Sequence, residues 1–230
     1  GEGGTGVETP SVSIGVVDAV SPDSVMMTKD TRPYDVKSAE VVDGFGAPLA
    51  PSALKRGMWV QIDGLASTAA VGVETVRLEP AVRGVVTSIF PLTVLGSEIT
   101  AYTSTVRDGP DATSPYQIGQ TIEVHGRLGR PGEVEASRIE RLAAADARQP
   151  ELRGLVRSVD ESAKTLVLEN QLIDYGDLSP DLLPQVGDSM RVSAVEPPSG
   201  STAGRINPVR LTRQSSTSGV PSYYQQGFTK

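Results

Sequence analysis

Three segments of the chain share one pattern of hydrophobic and polar positions. Each opens on a glycine, places apolar residues three and five positions later, and keeps polar residues between them: Gly57–Gly64, Gly119–Gly126 and Gly187–Ala194. Alternation with a period of two buries one face of a β-strand and leaves the other in water. The pattern predicts one half-buried strand in each segment.

A second feature sets the period of the chain. Gly15, Gly84 and Gly154 each lie in an apolar segment typical of an opening strand, and they recur at intervals of about 70 residues. A tight turn, a short second strand and a third extended stretch follow in each copy. Helical turns are predicted before the fourth strand, in the proline-containing segments 50–54, 114–118 and 179–183.

Five strands with a helical turn between the third and the fourth are the order of an OB-like barrel. The sequence therefore predicts an all-β protein of three tandem small OB-like five-stranded β-barrels, with small open sandwiches as the alternative. The predicted divisions are a flexible Gly-rich N-terminal tether at 1–11, β-barrel repeat 1 at 12–80, repeat 2 at 81–142, a linker at 143–150, repeat 3 at 151–213 and a C-terminal tail at 214–230. The tail is predicted to be disordered or to dock as an edge strand.

Charge and composition narrow the classes of partner. The formal net charge is −7, the pI is about 4.8, and no run of Lys or Arg is present. Nucleic acid is therefore not a predicted partner, because its phosphates need a basic surface. No segment approaches the roughly 20 apolar residues of a membrane-spanning helix. The absence of cysteine excludes thiolate chemistry and Cys-ligated zinc, and no cofactor is predicted.

The first residues suggest a cellular location. Gly1–Gly6 is rich in glycine and does not start with methionine. Flexible segments of this kind commonly follow the lipidated cysteine of bacterial lipoproteins; an ordinary disordered end is the alternative. The expectation is an exported protein, periplasmic or associated with the outer membrane, that meets the membrane only through an N-terminal lipid anchor. The oligomeric state stays open.

Candidate binding residues follow from the predicted barrels. OB-type barrels bind ligands across the face of strands two and three and the neighbouring loops, which makes Met26, Tyr34, Tyr102 and Tyr175 ligand or partner candidates. Trp59 is a further candidate, because the alternation points it away from its own core. It is predicted either to be covered by a neighbouring unit or tail, or to be exposed for a ligand.

Metal binding is a weaker possibility. The single histidine, His125, is predicted on the solvent face of its strand beside Glu123, and a solvated surface histidine is the preferred interpretation because closed metal sites need about four protein ligands. Asp108 and Asp111 lie in an acidic turn that resembles calcium loops without matching the EF-hand pattern. The sequence therefore predicts no metal site. The candidate ligands for the alternative, a bound cation, are His125, Glu123, Asp108 and Asp111.

The repeat motifs resemble those of a bacterial family known as domain of unknown function 5666. The resemblance lies in an opening strand with R-G-x-V, a G-x-x-[VI]-x-V-x-G strand and an A-x-x-I closing stretch: Arg83–Val86 and Arg153–Val156, Gly119–Gly126, and Ala136–Ile139. The first copy lacks the arginine before Gly15, and the third has Ala194 in place of the last glycine. The resemblance implies an OB-like barrel in an exported protein, often a lipoprotein, and no established activity.

The expected function is that of a non-enzymatic cell-envelope module that binds or scaffolds a protein or a glycan. Repetition without a catalytic constellation motivates it. A carboxylate-based enzyme acting on an envelope substrate and a divalent-cation binding protein are the alternatives. Two carboxylates across a cleft, with pKa values pushed apart, would be needed for the enzyme.

Overall fold

The computed structural model describes residues 7–146, 148–176, 184–194, 205–206, 208–217 and 220–229, and side chains only up to residue 194. The fold is all-β, as predicted, and it divides into a first unit, Gly1–Glu79, and a second unit, Pro80–Lys230. The predicted tether lies outside the described residues up to residue 6, and strand β1 begins at Thr9. No helix in the described ranges is long and apolar enough to cross a membrane.

The first unit joins five strands in a ring. Its strands are β1 (Thr9–Val20), β2 (Ser24–Met27), β3 (Tyr34–Asp35), β4 (Glu40–Val42), β5 (Pro48–Leu49), β6 (Trp59–Ala66) and β7 (Val71–Leu78). Strand β1 pairs with β2 and β6, β2 with β3, and β7 with both β6 and β3, the last in parallel. Strand β4 also runs parallel to β7 and pairs with β5. Alternate apolar residues of these strands form the core, Val25, Val60 and Val76 among them.

The second unit begins with a closed five-stranded barrel, called the central barrel below. Its strands are β8 (Val82–Ile89), β9 (Leu92–Val94), β10 (Ser97–Asp108), β11 (Thr121–Leu128) and β12 (Glu133–Leu142). They pair in the order β8–β9–β10–β12–β11, and β11 closes on β8. Only β10 and β12 run parallel. This parallel contact between the third and fifth strands is the one that the first unit makes between β3 and β7.

The strands that follow repeat most of these pairings. They are β13 (Glu151–Asp160), β14 (Thr165–Leu168), β15 (Gln171–Asp174), β16 (Ser189–Ala194), β17 (Arg205–Ile206), β18 (Pro208–Thr217) and β19 (Val220–Thr229). Strand β13 pairs with β14 and β16, β15 runs parallel to β17, and β18 pairs with β16 and β19. The fifth strand is split into β17 and β18, with Pro208 at the start of β18. Three tandem barrels therefore stay a prediction.

The glycine that opens each predicted strand has a common backbone role. Gly57, Gly119 and Gly187 have φ values of +84°, +93° and +93°, in the left-handed region that side chains disfavour. In each copy a valine of the opening strand exchanges two backbone hydrogen bonds with the glycine and its successor: Val17 with Gly57 and Met58, Val86 with Gly119 and Gln120, and Val156 with Gly187 and Asp188. The repeated glycine thus sets the start of the fourth strand.

The predicted helical turns are found in part. A 3-10 helix spans Pro51–Ala53, where the first copy predicts it. Residues 114–118 contain no helix, so the prediction for the second copy is wrong there. Residues 179–183 lie outside the described residues, so the prediction for the third copy is not tested. A second 3-10 helix, Ala144–Asp146, lies in the predicted linker.

The two strand sets of the second unit share one hydrophobic core. The start of β8 pairs with β11 on one side and with the start of β13 on the other, so that Arg83 faces both Glu123 and Glu151. The turn after β14 also touches the central barrel, because Glu169 accepts a hydrogen bond from the backbone N–H of Gly132 at 3.0 Å. Because the two strand sets are joined in this way, some polar faces of their strands are covered by neighbouring strands and do not contact water.

Candidate functional site

His125 and Glu123 do not face solvent. Their exposed fractions are 0% and 3%, so the prediction of a solvated histidine is wrong. The two side chains are on the outward face of β11, as the alternation requires. That face is covered because Arg83 on β8 and Glu151 on β13 lie against it. Polar residues are compatible with this burial because each meets an opposite charge or a hydrogen-bond partner.

Five side chains form a chain of contacts that we call the buried ion network: Glu123, His125, Arg83, Glu151 and Arg191. The ring Nε2 of His125 lies 3.0 Å from Glu123 Oε1, and Arg83 Nε donates to Glu123 Oε2 at 2.7 Å. Arg83 Nη1 donates to Glu151 Oε2 at 3.0 Å, and Arg191 Nη1 donates to the other oxygen of Glu151. The Nη1 group of Arg191 also lies 3.2 Å from the carbonyl oxygen of Pro80.

The electrostatics of this network favour the ionised form of Glu123. Burial alone would raise the pKa of Glu123, but the hydrogen bond with His125 and the charges of Arg83 and Arg148 outweigh it and lower that pKa far below its usual 4.5. The pKa of Arg83 is raised, because the charges of Glu123 and Glu151 outweigh the effect of its burial. A carboxylate with such a low pKa holds no proton to donate near neutral pH. The arrangement therefore suits structural pairing better than general acid catalysis.

A second polar region lies at the end of β12. A cavity of about 490 Å³ is lined by Gly109, Pro110, Glu140, Arg141, Leu142, Ala143, Ala145, Asp146 and Arg148. Arg141 is 5% exposed, and its guanidinium carbon lies 4.3 Å from the centroid of the Tyr116 ring. Its Nη2 group donates to the carbonyl oxygen of Ser114. We call this region the Arg141 cavity.

Two aromatic side chains of the central barrel, Phe90 and Tyr102, are exposed, and together they are called the aromatic face below. Phe90, in the turn between β8 and β9, is 94% exposed, and Tyr102 on β10 is 47% exposed. Strand β10 leaves its register with β12 between Ala101 and Val106. The backbone N–H of Tyr102 donates to Thr105 Oγ1 at 2.8 Å, which fixes this bulge. Tyr102 lies on the side of β10 that also carries the exposed Glu98 and the half-buried Thr100, so the alternation of the strand points it outward.

The other predicted ligand candidates are placed differently. Tyr34 and Tyr175 are buried in the two cores, so neither ring can present a surface to a ligand. The hydroxyl of Tyr34 donates to Asp30 Oδ2 at 2.6 Å, and burial followed by this contact raises the pKa of Tyr34. Met26 and Trp59 are half-buried in the first unit. Among the five candidates, only Tyr102 is exposed.

The four metal candidates do not assemble into one site. Asp108 forms an ion pair with Arg138, and Asp111 is exposed in the following turn. Glu123 and His125 belong to the buried ion network instead. Within the part of the chain that the structure describes, no group of three or more His, Cys, Asp or Glu side chains could hold a metal ion.

Sequence reasoning missed the arginines that organise these regions. Arg83 appears in the R-G-x-V motif, but nothing in that motif shows that its side chain bridges two carboxylates from different strands. Glu151 and Arg191 lie at positions where alternation predicts wet side chains. The sequence contained one indication of paired charges: Glu123 and Arg191 occupy the same position of the repeated strand and have opposite charges.

Comparison with known proteins shows that one family model matches the segment that forms the central barrel. The family model described as Domain of unknown function (DUF5666) matches residues 83–140, which confirms the predicted resemblance for this segment. No curated protein matches the chain. The chain is similar to the crystal structure of a multidomain protein with nucleic acid binding domains from Streptococcus pneumoniae TIGR4, at 15% identity over 86% of this chain and 72% of that one, with a TM-score of 0.21. So low a TM-score supports no conclusion about fold or function.

Proposed function

We propose that this chain, whose central barrel matches the DUF5666 family, is a non-enzymatic module of the bacterial cell envelope that binds or scaffolds a protein or a glycan. In this proposal the chain is exported and contains three tandem OB-like barrels. The equivalent backbone bonds at Gly57, Gly119 and Gly187 support the repeated barrel. The Gly-rich composition of residues 1–6 motivates the lipoprotein-type location.

The observation that carries the binding role is the exposed aromatic face of the central barrel. Phe90 lies in the loop between the first and second strands, and Tyr102 lies on the third strand. These are two of the places where OB-type barrels bind their ligands. Phe90 is 94% exposed, so a partner that covered its ring would remove a large apolar area from water.

The polar groups beside Tyr102 suit recognition of a partner with hydroxyl or amide groups. The hydroxyl of Tyr102 lies 3.4 Å from Glu135 Oε1, and Arg127 Nε donates to Glu135 Oε2 at 2.7 Å. An aromatic ring next to hydrogen-bonding groups held in place combines apolar contact with orientation. Glycans and peptide backbones both match this chemistry.

The test begins with partner identification. Glycan arrays and pull-downs from envelope extracts with the full chain would identify a binder, whose affinity is then measured for Phe90→Ala and Tyr102→Ala. We expect each substitution to weaken binding by roughly 10-fold or more, as truncation of an aromatic hot spot does. Ile118→Ala is the matched control, because Ile118 is an exposed apolar residue of the same barrel outside this face.

Two results would contradict the proposal. Unchanged affinity in both aromatic variants would remove this face as the binding site. Failure to recover any partner, together with turnover in a hydrolase assay, would favour the carboxylate-based enzyme instead. A thermal midpoint that rises with calcium or zinc would favour the cation-binding alternative.

A further inference from the structure

Arg141 differs from the other buried arginines of the described residues. Arg83, Arg138 and Arg191 each contact at least one carboxylate. Arg141 is as deeply buried, yet no described carboxylate forms an ion pair with it. An isolated buried charge is costly unless a partner of opposite charge or hydrogen-bonding groups compensate it.

The contacts of Arg141 leave part of its guanidinium unused. Its Nη2 group donates to the Ser114 carbonyl, and the face of the group covers the Tyr116 ring. The Nε and Nη1 atoms are buried and have no hydrogen-bond partner among the described residues. The backbone around it is closely packed, since a Cβ at Gly109 would lie 2.0 Å from the carbonyl oxygen of Arg141. The side chain is thus held in place while two of its N–H donor atoms, Nε and Nη1, have no partner among the described residues.

A cavity beside Arg141 has room for a ligand. Arg141 and Arg148 both line the cavity of about 490 Å³. The two carboxylates on its lining are Glu140 and Asp146, of which Glu140 lies 3.7 Å from Arg138. One negative group placed against Arg141 would complete its hydrogen bonds and offset its charge, as charge-assisted bonds to arginine do.

We propose that the Arg141 cavity binds a small oxyanion, a carboxylate or phosphate group, with Arg141 as its main ligand and Arg148 as a second cation. The anion is either free or carried on a larger molecule. Arginine suits this task because its guanidinium group has five N–H donors and stays charged at all relevant pH values. The proposal stands independently of the aromatic face, since it uses other residues of the same barrel.

The test is a titration of the full chain with sodium acetate and with sodium phosphate at constant ionic strength, with sodium chloride as the blank. The Arg141 Nε–H and Gly109 amide signals are followed by ¹H–¹⁵N NMR, and Arg141→Lys assigns the Nε–H signal by its loss. We expect a saturable shift of both signals with acetate, phosphate or both, and the arm that saturates identifies the chemistry. Arg148→Ala should weaken binding by several-fold, and Arg130→Ala, whose side chain is 88% exposed on another turn, should leave it unchanged.

The outcome that overturns the proposal is a shift that grows linearly with acetate and phosphate and matches the chloride blank. Equal affinities in wild type and Arg148→Ala would remove Arg148 from the site. Because Arg141→Lys alters a buried position, its amide spectrum must first match that of the wild type. If it does not, the wild-type titration still decides between saturation and its absence.

Discussion

Two regions of the second unit that bury arginine differ in how they compensate its charge. In the buried ion network, Glu123 and Glu151 reach Arg83 and Arg191 from neighbouring strands. In the Arg141 cavity, the guanidinium contacts a backbone carbonyl and an aromatic ring instead. The first region pairs its charges within the protein. In the second, two buried donors of Arg141 have no hydrogen-bond partner among the described residues, and Arg141 lines a cavity.

The largest effect is expected at the carboxylate between two arginines. Glu151→Gln removes the charge that Arg83 and Arg191 share, so both become less well compensated inside the protein. We expect the free energy of unfolding of the second unit to fall by about 3–5 kcal/mol. Urea unfolding of the full chain, followed by far-UV circular dichroism, measures it.

Glu98→Gln is the control for this change, because Glu98 is an exposed glutamate of the same barrel. It should alter stability by less than about 0.5 kcal/mol. A loss below about 1 kcal/mol for Glu151→Gln would show that the network contributes little. The fluorescence of Trp59 adds a local readout of the first unit, since it is the only tryptophan.

A smaller effect is expected for Glu123→Gln, and it should depend on pH. Arg83 keeps Glu151, so we expect a loss of about 1.5–3 kcal/mol at neutral pH. The folded pKa of Glu123 lies below its ordinary 4.5. Its stabilising contribution is therefore complete above that value and is lost as the pH falls toward the folded pKa.

Urea midpoints of wild type and Glu123→Gln between neutral pH and pH 3 check this prediction. The difference between the two should shrink below a pH of about 4.5, because protonated Glu123 resembles glutamine in charge. Acid effects of other groups, such as Asp30 in the first unit, occur in both proteins and cancel. A difference that stays constant with pH would contradict the assigned shift.

The smallest effect is expected when the same substitution is made in the Arg141 cavity. Arg141→Met removes an incompletely compensated charge and breaks no ion pair among the described residues, so stability should change by less than about 1 kcal/mol. Arg191→Met is the matched substitution in the buried ion network and should cost at least about 1.5 kcal/mol. Equal losses in thermal or urea unfolding would mean that the two regions do not differ as described.

The comparison extends to the first unit. Gln61 and Asp63 occupy in β6 the positions that Glu123 and His125 occupy in β11. They contact each other, with Gln61 Nε2 3.2 Å from Asp63 Oδ2, and they form no chain of opposite charges like the one around Arg83. The repeated strand therefore keeps its backbone role while its outward residues change with their surroundings.

Much of the backbone architecture could be predicted from local pattern. The alternation in β6, β11 and β16 and the left-handed glycines before them depend on nearest neighbours in the chain. The site was harder to predict. Tyr34 lies on β3 and Tyr175 directly follows β15, which made both ligand candidates, but both are buried in the hydrophobic cores. Tyr102 is exposed, on the side of β10 that also carries Glu98 and Thr100.

The sequence by itself determined the all-β class, the period of the repeats and the starts of the fourth strands, because these follow from side-chain alternation and from the backbone freedom of glycine. Tertiary structure alone decided which polar faces of the strands are exposed to solvent. A polar residue on the outer side of a strand looks the same in the sequence whether it meets water or an opposite charge. Glu123 is buried because Arg83, 40 residues before it, and Glu151 complete its surroundings. Two donors of Arg141 have no hydrogen-bond partner because none of the described carboxylates reaches them.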